Sequence, residues 1–245
     1  MMKNLLAAGL LACALPASLA SAEISLNTPT DGKNAFELRF SRFNPGIDDE
    51  FDGGVSPYAT AFDGRRPYNV ELEYDRQFWD GFGSVGAGVH IGYNRVRGNA
   101  VTEDGEESPD RTSLTVIPLR ASAVYRFDVL HRRFNVPLAF SVKAGLDYYF
   151  WTARDAEKNV SEVPATEGDP IRGSGGTSGW HAAFGVHLLL DAFSPGMATS
   201  FATNVGVVNS YLFAEYMLSR VDDFGSSTSW SLSQNQLWIG LAFEF

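Results

Sequence analysis

Residues 82–95 read "FGSVGAGVHIGYNR", and their side chains alternate. Val85, Ala87, Val89, Ile91 and Tyr93 share one face, while Ser84, Gly86, Gly88, His90, Gly92 and Asn94 share the other. A period of two sustained over about ten residues is the pattern of a strand, and a tilted strand of about that length crosses a bilayer. A soluble sandwich also alternates, but it places its charges on an outer face. Here the second face mixes glycine with single polar groups, which suits a narrow wet interior.

The same rule extends in both directions. Residues 136–151, "VPLAFSVKAGLDYYFW", set Leu138, Phe140, Val142, Ala144, Leu146, Tyr148 and Phe150 against Ser141, Lys143, Gly145, Asp147 and Tyr149. "AFELRFSRF" (35–43) sets Phe36, Leu38 and Phe40 against Glu37 and Arg39, and "YNVELEYDRQF" (68–78) sets Val70, Leu72 and Tyr74 against Glu71, Glu73 and Asp75. "LTVIPLRASAVYRF" (114–127) places Arg120, Ser122 and Arg126 opposite Leu119, Ala121, Ala123 and Tyr125. "WHAAFGVHLLLD" (180–191) places His181, His187 and Asp191 opposite Trp180, Phe184 and Val186, and "NSYLFAEYMLS" (209–219) places Glu215 opposite Leu212, Ala214 and Tyr216. The last strand, "QLWIGLAFEF" (236–245), puts Leu237, Ile239, Leu241, Phe243 and Phe245 on one face. The expectation is an all-β chain of eight strands.

Connections separate a barrel from a sandwich. Long loops at 44–66, 96–111, 152–178 and 220–229 alternate with short links at 79–83 and 128–135. That alternation predicts a closed antiparallel eight-stranded transmembrane β-barrel, with long loops outside the cell and short turns in the periplasm. Residues 192–206, "AFSPGMATSFATNVG", break it; Ser194-Pro195 predicts a short helix there. Aromatics at strand ends, among them Tyr68, Phe78, Trp79, Tyr93, Phe150 and Trp180, predict two interfacial girdles.

The first residues, "MMKNLLAAGLLACALPASLASAE", have the cationic, apolar and small-residue layout of a secretory signal. Residues 1–22 are therefore expected to be a cleaved signal peptide, and residues 23–245 the barrel domain. "LLAC" at 10–13 offers an alternative in which Cys13 is acylated. Cleavage before Glu23 removes Cys13 and Lys3, leaving no cysteine and 18 basic against 29 acidic residues, about −11. Such a chain is a poor nucleic-acid partner. No other stretch approaches the roughly 18 apolar residues of a membrane helix, so an exported chain of this pattern enters a membrane only as a barrel.

The predicted lumen holds Glu37, Arg39, Glu71, Glu73, Asp75, His90, Arg120, Arg126, Lys143, Asp147, His181, His187 and Glu215. An eight-stranded barrel is barely wide enough for its own side chains. The expectation is a plugged, mutually neutralising polar core, with Gly86, Gly88 and Gly92 leaving room for Arg and Lys; the alternative is a narrow pore of low conductance. An enzyme would need a base such as His181 or His187 held by Asp147, with Ser141 or Ser178 as nucleophile. Neither G-x-S-x-G nor H-E-x-x-H occurs, so the reading is non-enzymatic and without a cofactor. Asp48, Asp49, Glu50 and Asp52, and the acidic run 103–110, are weak candidates for a divalent cation bridging to lipopolysaccharide. The default for both is a solvated acidic loop.

"TVIPLRASAVYRF" followed by "VPLAFSVKAGLDYYFW" resembles the strand-turn-strand core of small Gram-negative outer-membrane barrels. More narrowly, "FELRFSRFNPGIDDEF", "DGFGSVGAGVHIGY", "TSGWHAAFGVHLLLDAFSP" and "YLFAEYMLS" with "WIGLAFEF" resemble an outer-membrane barrel family known from deltaproteobacterial genomes. The resemblance implies an outer-membrane barrel with a structural or surface-display role, surrounded by membrane lipid and lipopolysaccharide, with an extracellular or periplasmic protein as a further possible partner. It carries over no catalytic residue. Leu237, Ile239, Leu241, Phe243 and Phe245 resemble the signal read by the barrel-assembly machinery.

Overall fold

The structure is a computed structural model that describes residues 32–50, 56–101, 107–163, 171–226 and 229–245. The signal-peptide expectation for residues 1–22 lies outside them, as do Asp52, Glu103, Asp104 and Glu106 and the side chains of Glu50 and Glu107. In chain order the elements are β1 (Asn34–Arg42), a 3-10 turn (Gly46–Glu50), α1 (Pro57–Phe62), β2 (Tyr68–Gly81), β3 (Gly83–Val101), β4 (Glu107–Phe127) and α2 (Val129–Phe134). They continue with β5 (Leu138–Arg154), β6 (Glu162–Val163), β7 (Ile171–Arg172), β8 (Ser174–Leu189), α3 (Pro195–Asn204), β9 (Asn209–Val221) and β10 (Gln234–Glu244).

Eight strands close into one barrel in the order β1-β10-β9-β8-β5-β4-β3-β2, and β6-β7 form a separate ribbon. Every neighbouring pair in the wall is antiparallel. Closure is made where β1 meets β10, from Ala35 opposite Glu244 to Phe40 opposite Ile239. Past that ladder the Phe245 N–H donates to the Asn34 carbonyl at 2.9 Å, and the Asn34 N–H returns a bond to the Phe245 carbonyl at 3.1 Å. With its first and last strands paired, the sheet presents no open edge in the wall.

Alternation sets the two faces. Val89, Ile91, Val142, Leu146, Phe184, Leu237 and Ile239 point outward and are half or more exposed, whereas their i±1 neighbours point into the lumen and, apart from the partly exposed Gly145, are buried. Exposed aromatics gather at two levels: Tyr68, Tyr93, Phe150 and Trp180 toward one end, Phe78, Trp79 and Phe82 toward the end that holds Asn34 and Phe245. Among the described residues no helix is long and apolar enough to cross a membrane.

The connections depart from expectation in four places, one being that residues 152–154 and 174–178, expected within a loop, belong to β5 and β8. Residues 96–111, expected as a loop, mostly continue the β3–β4 hairpin, with Arg97 opposite Ser113 and Asn99 opposite Arg111. Backbone pairing does not need apolar side chains, so the ladder runs on where the apolar pattern stops. The link after β4 is a helical turn, α2, and the β2–β3 connection shrinks to Phe82, followed by Gly83 at φ +88°. The helix expected after Ser194-Pro195 is α3, with Ser194 at its N-cap.

Over the end opposite the termini, the segment between β1 and β2 folds inward. Phe43, Ile47, Tyr58 and Phe62 pack on Val96, Leu114, Val116, Tyr149, Val221 and Leu232 from the strand ends, forming an apolar cap across the mouth. Asp48 fastens it: Oδ1 accepts from the Tyr58 N–H at 2.7 Å and Oδ2 from the Ala59 N–H at 3.0 Å, satisfying the first amides of α1. The Tyr58 hydroxyl donates to the Arg65 carbonyl at 2.9 Å, and burial, with Asp48 beside it, pushes its pKa up to about 12.

Candidate functional site

The lumen is the densest collection of polar chemistry in the chain. The structure places Glu37, Arg39, Glu71, Glu73, Asp75, His90, Arg120, Arg126, Lys143, Asp147, His181, His187 and Glu215 all inside the wall, each no more than 3% exposed. Glu244 joins them from β10. Seven buried carboxylates thus meet four buried Arg and Lys side chains among the described residues. Ions removed from water are tolerable only when paired and hydrogen-bonded, and here each cation is shared among several acids.

Lys143, on β5, is the centre. Its Nζ donates to Glu73 Oε1 at 2.6 Å and Glu37 Oε2 at 2.9 Å, and lies 3.4 Å from Glu215 Oε2. Arg39, on β1, donates Nη1 to Glu73 Oε2 at 2.5 Å and Nη2 to Glu215. Nearer the cap, Arg120 bonds Glu71 and the Tyr149 hydroxyl. Nearer the termini, Arg126 bonds Glu244 and, at 3.2 Å, Glu37, with Asp75 Oδ2 at 3.9 Å. The guanidiniums are also covered by rings: Arg39 lies 5.0 Å from the Trp238 ring centre and Arg120 lies 5.2 Å from that of Tyr149.

Glycines make this packing possible, though not in the way the sequence suggested. A Cβ on Gly88 would stand 2.0 Å from Asp75 Oδ1, and one on Gly92 would stand 2.6 Å from Glu71 Cγ. The space opened on β3 is therefore taken by the carboxylates of β2 rather than by Arg and Lys. Glu37, Glu73 and Asp75 are also the trio among the described residues that could offer ligand atoms to a metal. Lys143 already supplies the cation to two of them, so an ion there would have to displace the ammonium. Of the loop candidates, Asp48 spends both oxygens on α1 and Asp49 is exposed.

A hydrogen-bonded chain crosses the lumen beside these ions. His181 Nδ1 meets Asp147 Oδ1 at 2.5 Å, His181 Nε2 meets Ser122 Oγ at 2.9 Å, and the same hydroxyl meets His90 Nε2 at 2.8 Å. The serine placed on His181 is Ser122, not Ser141 or Ser178: Ser141 bonds His187 at 2.9 Å, and Ser178 bonds Asp223 at 2.7 Å. The order Ser-His-Asp is that of a nucleophile with its base and orienting acid. Ser122 is 5% exposed and His181 1%, within a filled lumen, so no acyl substrate reaches Oγ. What this chain of groups does in place is satisfy buried donors and acceptors.

Alternation places Trp238 and Ala242 of the last strand inward, as found, but left the β9 side of the lumen undescribed. Tyr211, Phe213 and Met217 from β9 join Trp238 and Ala242 from β10, Leu189 and Ala183 in a buried apolar cluster. The signal of Tyr211, Phe213 and Met217 was hidden because β9 is apolar on both faces, and only their register beside Glu215 assigns them inward. Asp191, expected on the inner face of β8, lies past that strand and accepts the Ser210 N–H at 3.1 Å.

No protein-family model and no curated protein matches the chain. Among solved structures it is similar to Neisserial surface protein A, at 14% identity and TM-score 0.45, covering 86% of this chain and 95% of that one. It is similar also to the outer membrane protein OprG from Pseudomonas aeruginosa, at 9% identity and TM-score 0.43 over 86% and 95% of the two chains. Ail, the attachment invasion locus protein of Yersinia pestis, matches at 14% identity and TM-score 0.39, over 86% and 96%.

Two substitutions test the lumen. Lys143→Met leaves Glu37, Glu73 and Glu215 without their shared cation and is expected to destabilise the folded barrel by about 3–5 kcal/mol, read from urea unfolding in phospholipid vesicles. Gly88→Val drives a side chain into Asp75 and is expected to cost about 1–3 kcal/mol in the same assay; an unchanged midpoint for either would contradict the packing described.

Proposed function

We propose that this protein spans the outer membrane as a non-enzymatic, non-conducting barrel that holds its long loops and the β3–β4 hairpin at the cell exterior. The observation that carries the reading is the inversion of the wall: an apolar outer face surrounds a lumen filled by shared ion pairs and capped by the Phe43–Phe62 segment. A pore needs a continuous wet path, and side chains exposed by 3% or less fill this one at the levels of Arg126, Lys143 and Arg120. The end holding Asn34 and Phe245 faces the periplasm in this reading. The exposed, uncharged run of Phe193, Met197, Phe201 and Val205 about α3 suits the inner lipid boundary there. The partners are membrane lipid and lipopolysaccharide, with an extracellular or periplasmic protein as a further class. The likeness to the deltaproteobacterial barrel family rests on the sequence stretches quoted above.

Planar bilayers containing the purified barrel are expected to show no discrete current steps. Steps that change amplitude with Lys143 or Arg120 substitutions would instead establish a pore. We further propose that Leu237, Ile239, Leu241, Phe243 and Phe245 form the assembly signal. Phe245→Ala keeps the backbone bonds to Asn34, so it is expected to leave detergent folding nearly unchanged while lowering the heat-modifiable fraction in cells several-fold. Equal effects in both settings would reduce Phe245 to a packing residue.

A further inference from the structure

The chain is acidic, yet its exposed cations are unevenly placed. On the outward face of β3, the run Val89, Ile91, Tyr93 gives way to Arg95 and Arg97. At about 3.3 Å per residue, Arg95 stands about 7 Å beyond Tyr93 toward the loop end. Arg42 follows the apolar run on β1, Arg65 and Arg66 lie between α1 and β2, and Arg111 stands on β4 opposite Asn99. Two concavities of about 980 and 660 Å³ share Arg65, Arg95 and Arg97 in their walls, and Lys158 closes the larger one. Asp63 and Asp155 are the carboxylates lining them.

Among the described residues these cations are not matched by acids. Among the described residues no carboxylate oxygen lies within ion-pair distance of Arg42, Arg65, Arg66, Arg95, Arg97 or Arg111; at the opposite end Arg132 is paired with Asp80 at 2.5 Å. Their recorded bonds are to neutral oxygens: Arg65 Nη1 to the Arg97 carbonyl at 3.2 Å, Arg95 Nη2 to Ser113 Oγ at 3.3 Å, and Arg42 Nη1 to the Arg66 carbonyl at 3.0 Å. Arg42 also stacks 3.8 Å from the centre of the Tyr68 ring. Guanidiniums held side by side repel one another until an anion bridges them, and their forked donors fit phosphate and sulfate oxygens.

We propose that this arginine-lined concavity binds the phosphorylated saccharide headgroup of an outer-leaflet glycolipid. The proposal rests on the membrane seating argued above. Position selects the source: Arg95 and Arg97 sit just beyond Tyr93 and Tyr68 on the lipid-facing side, at headgroup depth, rather than at the loop tips where a soluble glycan would first arrive. The multiple donors select the chemistry, since a single-charge headgroup would leave most of the guanidiniums unbridged.

The test uses the full mature barrel in phosphatidylcholine nanodiscs doped with lipopolysaccharide, with bound lipopolysaccharide counted by native mass spectrometry. Intact lipopolysaccharide is expected to bind in a salt-sensitive manner, enzymatically dephosphorylated lipopolysaccharide at least tenfold more weakly. The double variant Arg95→Gln/Arg97→Gln should lose at least tenfold for the intact form, while Arg132→Gln at the other end should bind as the parent does. Equal binding of both lipopolysaccharide forms, or no loss in the double variant, overturns the site. Inositol hexakisphosphate binding the detergent-solubilised barrel more tightly than lipopolysaccharide overturns the lipid source. Heat-modifiable migration of every variant separates these failures from failure of the membrane reading, in which the barrel would not enter nanodiscs.

Discussion

Pairing of β1 with β10 is the contact on which the rest of the structure depends. An open sheet edge leaves a row of unpaired amides, and each one buried without a partner costs several kcal/mol. The ladder from Ala35–Glu244 to Phe40–Ile239, extended by the reciprocal Asn34–Phe245 bonds, removes that cost. It also joins the first strand of the wall to the last, so the wall is complete only when all eight strands are in place.

Closure then dictates the chemistry of the two faces. With apolar side chains turned outward, the lumen receives the polar half of every strand, and eight strands leave little volume for water. The solution found here is charge sharing: Lys143 serves three acids, Arg39 bridges β2 and β9, and Arg126 reaches from β4 across the interior to β1 and β10. Apart from Arg39–Glu73, these pairs link strands that are not neighbours in the wall. They resist collapse and shear of the barrel in a way that neighbouring backbone bonds cannot.

The two ends differ in the same physical terms. Toward the termini, Arg132 finds Asp80, and exposed aromatic and uncharged side chains surround the short connections. Toward the loops, an apolar cap held by Asp48 seals the lumen, and arginines stand in a row without acidic partners among the described residues. With the interior filled, the cation excess lies on the outside of the barrel, where the wall leaves its apolar band.

Strand faces were legible in the amino-acid sequence because the side-chain period is two: one correctly placed residue such as Val89 or Lys143 orients its whole strand. Strand number, antiparallel order and the inward set from Glu37 to Glu215 follow from that period and from loop lengths. The distances between those residues do not, because register across eight strands sums small shifts, including the irregularity between Gln77 and Trp79. Hence Ser122, rather than Ser141 or Ser178, meets His181; the β3 glycines admit acids rather than bases; and the inward side of β9 stayed hidden behind apolar residues on both faces. The end of the outward apolar run did not mark a stopping point for β3 and β4, since backbone pairing carries on wherever two strands remain side by side. Sequence by itself determined which side of the wall the residues of every strand but β9 occupy, a local property of an extended backbone. Only the tertiary structure decided which charges share a partner and which arginines stand together, because those are distances set by closure.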